Sequence, residues 1–210
     1  AAEREFRIDA MTEPSALRAL PDGTFVLAGT HDGGGILMGG ALPARRANDG
    51  FALRFSPGEN DADARISDVT VFAAHQDESV TDLSTVADGT EWAASVSYTT
   101  YLRVNDTDPD LAETLGDDDA ALVSITPGAV GGAPVLLATL AGPGHESGGR
   151  LARVADGWLW TARGDMGAAI GDTTLLSRTH LVAKVKDGGG IAWVRTIEGV
   201  NGDRPLVVAA

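Results

Sequence analysis

The chain has 210 residues, 43% hydrophobic and 22% charged, a balance that is ordinary for a folded globular protein and argues against general disorder. Its formal net charge is −14 and its 16 lysines and arginines are scattered, so nucleic acid is not an expected partner, because phosphate binding needs clustered basic side chains. The absence of cysteine excludes disulfides and thiolate metal sites. No apolar run reaches the roughly 18 residues that a membrane span needs, and no signal peptide is visible, so we predict a soluble chain.

The first predicted elements form two hairpins, preceded by residues 3–8 (EREFRI), which look like the end of a strand from an earlier unit. Residues 17–23 (LRALPDG) and 24–28 (TFVLA) are apolar segments on either side of an Asp-Gly turn. This is a strong hairpin signal, because glycine accepts the positive φ of a tight turn. Residues 51–55 (FALRF), a Ser-Pro-Gly turn and residues 60–66 (NDADARI) predict the second hairpin, although aspartate is unusual in a strand that should be buried.

The same pattern returns in the middle of the chain. Residues 83–89 (LSTVADG) and 90–94 (TEWAA) again surround an Asp-Gly turn. Residues 121–125 (ALVSI) are followed by Thr-Pro-Gly and by a fourth strand that ends near Leu140. These elements predict a second pair of hairpins.

The third occurrence follows at a nearly equal interval. Residues 151–157 (LARVADG) and 158–162 (WLWTA) form the Asp-Gly hairpin, and residues 181–185 (LVAKV) with 191–197 (IAWVRTI) form the second one. Residues 206–208 (LVV) match the first strand of a further unit.

Three repeats of two hairpins, without a convincing amphipathic helix, predict an all-β chain. We predict one domain over residues 1–210 with four-stranded repeats at approximately 10–78, 79–147 and 148–203, and a further repeat starting at 204–210. The 27 glycines, roughly twice the usual share, fit a protein with many tight turns.

The repeats resemble those of a bacterial β-propeller family (SBBP-like repeats), whose units read roughly D-G-N-V-Y-V-x-G and then D-A-F-V-A-K-L-D-x-x-G before an apolar strand containing tryptophan. Residues 180–187 (HLVAKVKD) and 191–197 carry the likeness most fully, and Trp92 and Trp160 fall in the aromatic column after the Asp-Gly turn. Glu91 stands where the family has an apolar residue. The resemblance implies propeller-type blades, with three complete units and partial strands at both ends.

Propellers close on about four to eight blades, which removes the exposed sheet edges. The predicted partner is therefore either another copy, joined through the terminal strands, or a missing remainder of the propeller. A symmetric dimer is the simplest such assembly. The alternative is that a fourth blade forms from its first and last strands alone.

Calcium is the one cofactor that the sequence suggests. Asp106, Asp108, Asp110 and Asp117 lie in or near the loop that joins the second and third strands of the middle repeat, where several carboxylate oxygens could surround one hard cation. The helix–loop–helix calcium pattern is not met, and an acidic loop that is simply solvated is the alternative. Asp165 with Asp172 is a smaller candidate of the same kind.

His75 and His145 are the candidate catalytic residues, because each precedes a glutamate and a serine, Glu78-Ser79 and Glu146-Ser147, in a connection between repeats. Neither setting matches a known nucleophile motif. The repeat also explains both glutamates, since each precedes the leading leucine of its unit by the same number of residues. The glycine runs at 33–35 and 188–190 are predicted hairpin turns, not phosphate loops.

Three functions follow as hypotheses. The first is a non-catalytic binding or scaffold module, from a secreted or cell-surface bacterial protein as the resemblance implies, with an unknown ligand. The second is a propeller-based hydrolase or lyase that uses channel-facing histidines and carboxylates. The third is a truncated or designed propeller fragment that assembles as an oligomer.

Overall fold

The computed structural model describes residues 12–32, 36–37, 40–41, 48–58, 65–73, 77–105, 110–128 and 134–197. In these ranges the regular structure consists of sixteen β-strands without a helix, which confirms the all-β prediction. No helix suited to crossing a membrane occurs in that part of the chain. The predicted strands at 3–8 and 206–208 lie outside the described residues.

The main strands form one antiparallel eight-stranded sheet and a separate four-stranded sheet. We divide the larger sheet into two four-stranded units for description, so that the chain has three units in sequence order. The first unit has the order β1-β2-β5-β6, and a small β3–β4 hairpin lies between its middle strands. Its bounds are β1 Thr12–Ala19, β2 Phe25–Asp32, β3 Ile36–Leu37, β4 Gly40–Ala41, β5 Asn48–Ser56 and β6 Arg65–Ala73.

The second unit has the order β7-β8-β9-β10, and the third has the order β11-β12-β15-β16 with the small β13–β14 hairpin beside it. The second unit consists of β7 Ser79–Thr85, β8 Trp92–Val104, β9 Ala112–Ile125 and β10 Val135–Leu140. The third consists of β11 Ser147–Val154, β12 Gly157–Gly164, β13 Ala169–Ile170, β14 Thr173–Thr174, β15 Thr179–Lys186 and β16 Ile191–Ile197.

The fourth strand of the first unit differs from the prediction at residues 60–66. The observed strand, β6, begins at Arg65 and buries Val71 and Phe72 at its far end. Residues 60–66 are mostly polar and offer no apolar face to bury, whereas residues 65–73 alternate and do. Asp61 and Asp63 lie outside the described residues.

The Asp-Gly turns form by the same local chemistry in the first two units. Gly23 and Gly89 adopt φ of 82° and 72°, in the left-handed region that favours glycine. In the first turn, Asp22 Oδ1 accepts from the backbone N (3.0 Å) and the hydroxyl (2.7 Å) of Thr24. Asp88 accepts from Thr90 at the same two distances. Because the aspartate, glycine and threonine of each turn form these contacts locally, the two hairpins can be predicted from the sequence.

Apolar side chains from adjacent units interlock in two cores. Along β8, Trp92 and Ala94 point into the core shared with the first unit, whereas Ala93 points into the core shared with the third. This period-two alternation is expected of a strand buried on both faces. Trp92 and Trp158 are fully buried, one in each core, and burying a side chain of this size stabilises the fold by roughly 2–3 kcal/mol.

Strand register corrects the alignment of the tryptophans. Trp92 lies opposite Ile125 and Trp158 lies opposite Val185, so Trp158 rather than Trp160 is the equivalent of Trp92. The Asp-Gly turn of the third unit is two residues shorter than that of the second. Counting forward from the glycine therefore aligned Trp92 with Trp160, two residues too far along the strand. Trp160 instead packs in the second core and donates its indole N–H to Ser95 Oγ of the second unit (2.9 Å).

The step from one unit to the next is repeated. Strand β7 packs against β1, β2 and β5 of the first unit, and β11 packs against β7, β8 and β9 of the second. The chain also reaches back to the preceding unit at the end of the second strand or just after it in both cases. The end of β8 pairs with β6 at Phe72 and Val104, and Ala169 of β13 bridges to Ala141.

Candidate functional site

Of the predicted calcium and catalytic residues, Asp110, Asp117 and His145 lie in the described part of the chain. His75, Asp106 and Asp108 lie outside the described residues. Asp110 Oδ1 accepts from Arg103 Nε (2.9 Å) and Nη2 (2.7 Å), whereas Asp117 Oδ2 lies 3.5 Å from His145 Nε2. In the described ranges no three His, Asp or Glu side chains form a group that could hold a metal ion.

Two equivalent groups of polar residues lie where consecutive units connect. In each, the glutamate that precedes the next unit donates its backbone N–H, at 2.8 Å, to a carbonyl of the third strand: Glu78 to Asn48 and Glu146 to Asp118. We name these groups by their members: the first junction is Asn48, Asp49, Asp77 and Glu78, and the second junction is Asp118, Asp119, His145 and Glu146.

His145 lies at the surface of the second junction. Its Nδ1 is 2.8 Å from Asp118 Oδ2, and Asp118 Oδ1 accepts a hydrogen bond from Thr99 Oγ1 at 2.7 Å. The hydrogen bond to Asp118 raises the pKa of His145, and the charges of Asp118, Asp117 and Asp165 add to it. The carboxylate thus lies between the imidazole and the hydroxyl, and the imidazole is not placed to take the hydroxyl proton as a general base must.

Beneath His145, the second junction buries two carboxyl groups. Asp119 accepts backbone hydrogen bonds from Gly142 (3.0 Å) and Leu115 (2.9 Å), and Glu146 accepts one from Asp165 (3.2 Å). Burial raises the pKa of Glu146 to about 7, assisted by its hydrogen bond to Asp119 and by the charges of Asp119 and Asp165. A buried acid with a pKa near neutrality can serve as a general acid, but Glu146 is only 1% exposed and lies out of a substrate's reach.

The first junction buries the same pair of residue types. Asp49 and Glu78 occupy the positions of Asp119 and Glu146, and both are 0–1% exposed. The same two residue types are thus buried at both connections between units. This weakens a catalytic interpretation of the Asp119–Glu146 pair.

A different group lies on the first strands of the three units, which we call the inner-strand cluster: Arg18 of β1, Asp82 of β7 and Arg150 of β11. Arg18 Nη2 donates to Asp82 Oδ1 at 2.8 Å, and Arg150 Nη1 lies 3.9 Å from the same oxygen. The backbone N–H of Leu151 donates to Asp82 Oδ2 at 2.9 Å. One buried carboxylate therefore connects all three units.

The inner-strand cluster has an excess of positive charge. Elsewhere in the described ranges, five cationic side chains each pair with an aspartate of their own: Arg54 with Asp22, Arg103 with Asp110, Arg153 with Asp187, Arg178 with Asp165 and Lys184 with Asp156. Arg18 and Arg150 share one carboxylate instead. Their side chains are 39% and 41% exposed, whereas that of Asp82 is 2% exposed.

This cluster was not predicted from the sequence, although a signal was present. Asp82 and Arg150 directly precede the leading leucines Leu83 and Leu151, and Arg18 directly follows Leu17. Charged residues beside the leading leucine of each first strand, opposite in sign between consecutive units, indicate contacts between those strands.

No protein-family model, curated protein or solved structure matches the chain.

Proposed function

We propose that the three units are consecutive blades of a propeller-type array, and that the chain is a non-catalytic binding or scaffold module. The repeated step between units supports the array, because the first strand of each unit packs on the sheet of the unit before it. A rigid array of this kind holds the exposed groups of its first strands in fixed positions.

The inner-strand cluster is the observation that carries the proposal. Asp82 is buried and accepts from a side chain of the first unit and a backbone amide of the third. The two arginines around it remain accessible to solvent. The buried carboxyls of the two junctions are, by contrast, shielded and repeated. The binding surface is thus the line of first strands, and the junctions serve as structure.

The test is Asp82→Asn, compared with Asp187→Asn. Asp187 also pairs with an arginine, Arg153, but both lie within the third unit. Replacing the buried carboxylate weakens its two charge-assisted hydrogen bonds, which should cost about 1.5–3 kcal/mol of unfolding free energy and make denaturant unfolding less cooperative. The control should change little, because that pair is exposed. Equal effects of the two substitutions would contradict a stack held together along its first strands.

The hydrolase or lyase alternative is favoured by one observation, the exposed imidazole of His145, which is paired with Asp118 and lies near the strained Thr100, whose φ is 72°. His145→Ala tests it. Turnover of ester, glycoside or uronate model substrates by the parent chain, lost in this variant, would replace the binding proposal with an enzymatic one.

We also propose that a further unit, from another copy or from a longer chain, covers the outer face of β12 and β15. Leu159 and Val182 on that face are partly exposed, whereas their register equivalents in the second unit, Ala93 and Leu122, are fully buried against the third unit. Solution mass measured across a dilution series tests self-association. A constant monomer mass at all concentrations would leave only the longer chain.

A further inference from the structure

We propose that the inner-strand cluster is an anion-binding site, and that its ligand is a carboxylate or phosphate group held by the Arg150 guanidinium beside Arg18. The inference rests on the proposed binding function and names the chemistry of its ligand. Its basis is the unequal number of charges where three strands converge, together with the accessibility of the two arginines and the burial of their shared aspartate.

Both carboxylate oxygens of Asp82 already accept a hydrogen bond within the protein. Oδ1 accepts from Arg18 at 2.8 Å and Oδ2 accepts from the Leu151 amide at 2.9 Å. Arg150 Nη1, at 3.9 Å from Oδ1, is close enough to feel the charge but too far to donate a hydrogen bond. The guanidinium of Arg150 therefore keeps donors for a ligand, while Asp82 holds Arg18 in place.

The geometry selects an oxyanion. A guanidinium presents its N–H donors in a planar fork that matches the two oxygens of a carboxylate or phosphate. The two arginines and one aspartate leave a local charge of about +1, in a chain whose net charge is −14. An anion is repelled by most of such a protein and attracted at this cluster. Exposure of both arginines makes the attraction weak and dependent on salt.

The first measurement is a titration of the full chain with citrate and, separately, with inorganic phosphate at low ionic strength, followed by amide NMR. Sodium chloride at matched ionic strength is the baseline. We expect saturable shifts centred on the Arg150 and Leu151 amides, because the Leu151 N–H lies on the Asp82 carboxylate. Stronger binding of citrate than of phosphate would identify a carboxylate ligand, and the reverse order a phosphate.

Arg150→Gln is the decisive variant, because it removes the free guanidinium and leaves the Arg18–Asp82 and Leu151–Asp82 hydrogen bonds intact. We expect about tenfold weaker binding, since a charge-assisted hydrogen bond is lost. Arg150→Lys keeps the charge but not the planar fork, so its affinity for the anion should lie between those of the parent and of Arg150→Gln. Arg195→Gln on β16, where the arginine lies over Trp193, is the matched control and should bind as the parent does.

Two results would overturn the site: no saturable binding by the parent, or equal binding by the parent and Arg150→Gln. In either case the broader proposal is judged separately, by the Asp82→Asn comparison, which needs no ligand. If Asp82→Asn and Asp187→Asn change the unfolding free energy equally while Arg150→Gln weakens anion binding, the anion site is supported and the stacked array is contradicted.

Discussion

The two junctions share one backbone hydrogen bond and differ in the side chains that pair at their surface. In both, a buried glutamate donates its N–H to the third strand of the preceding unit at 2.8 Å. At the surface, the first junction pairs Asn48 with Asp77 (3.0 Å), whereas the second pairs Asp118 with His145 (2.8 Å). The shared feature is the backbone hydrogen bond of a buried glutamate, whereas the side-chain pair that differs is exposed. We infer that the backbone step fixes the stacking and that the surface pair is free to differ.

The cores beside the junctions differ as well. By register, Ser95 and Trp160 in the second core are equivalent to Ala28 and Ala94 in the first. The first core uses two fully buried alanines, whereas the second uses a tryptophan with a hydrogen bond to serine. One architecture thus accepts a small pair or a large polar pair, provided that the volume is filled.

Trp160→Ala should cause the largest loss of stability, because it removes packing from the second core and leaves the first core unchanged. Removing a fully buried tryptophan leaves a cavity and an unpaired Ser95 hydroxyl, and we expect a loss of about 3–5 kcal/mol in unfolding free energy. Chemical denaturation measures the loss. Trp193→Ala, at a site that is 37% exposed on β16, should cost less than about 1 kcal/mol. Similar losses for the two would contradict the importance of the second core.

Gly148→Ala should give the next largest effect, because it adds a methyl group where β11 approaches the second unit. A Cβ there would overlap Ser95 Oγ and lie 3.1 Å from Thr81 Oγ1. Forcing these groups apart should cost about 1–3 kcal/mol in denaturant unfolding. Gly188→Ala, with nothing within 4 Å of its added Cβ, is the matched control and should be near neutral. A neutral Gly148→Ala would mean that the units are packed less closely than described.

The extent of sequence-based prediction follows from the range of each interaction. The first two Asp-Gly turns were predictable because Asp22, Gly23 and Thr24 complete the turn among themselves. The aromatic column was misaligned because a turn shorter by two residues moves the register, and register depends on the partner strand. The inner-strand cluster was missed because Arg18 and Arg150 meet Asp82 only when three units stack.

The Asp119–Glu146 pair makes stability depend on pH. Because the pKa of Glu146 rises from 4.5 to about 7 on folding, the folded chain keeps a proton that the unfolded chain releases in that interval. The contribution of this group is therefore greatest below about pH 4.5 and is lost as the pH rises to about 7. Glu146→Gln should remove that loss. The difference in unfolding free energy between the variant and the parent should therefore shift in favour of the variant by on the order of 2 kcal/mol as the pH rises from 4.5 to about 7. Denaturation curves at several pH values measure it, and a constant difference would contradict the assignment.

The smallest effect is expected from exchanging the surface pairs, which tests whether the exposed half of a junction is free to vary. Asp118→Asn with His145→Asp gives the second junction the residues of the first. Because His145 is 62% exposed and the backbone hydrogen bond of Glu146 is retained, the Tm at pH 7 should stay within about 2 °C. The parent should lose stability relative to this double variant as the pH rises above 6.5, since the raised pKa of His145 means that its protonated form is favoured by folding. A large fall in Tm at pH 7 would show instead that the imidazole–carboxylate pair holds the second junction together, and that the two junctions are not interchangeable.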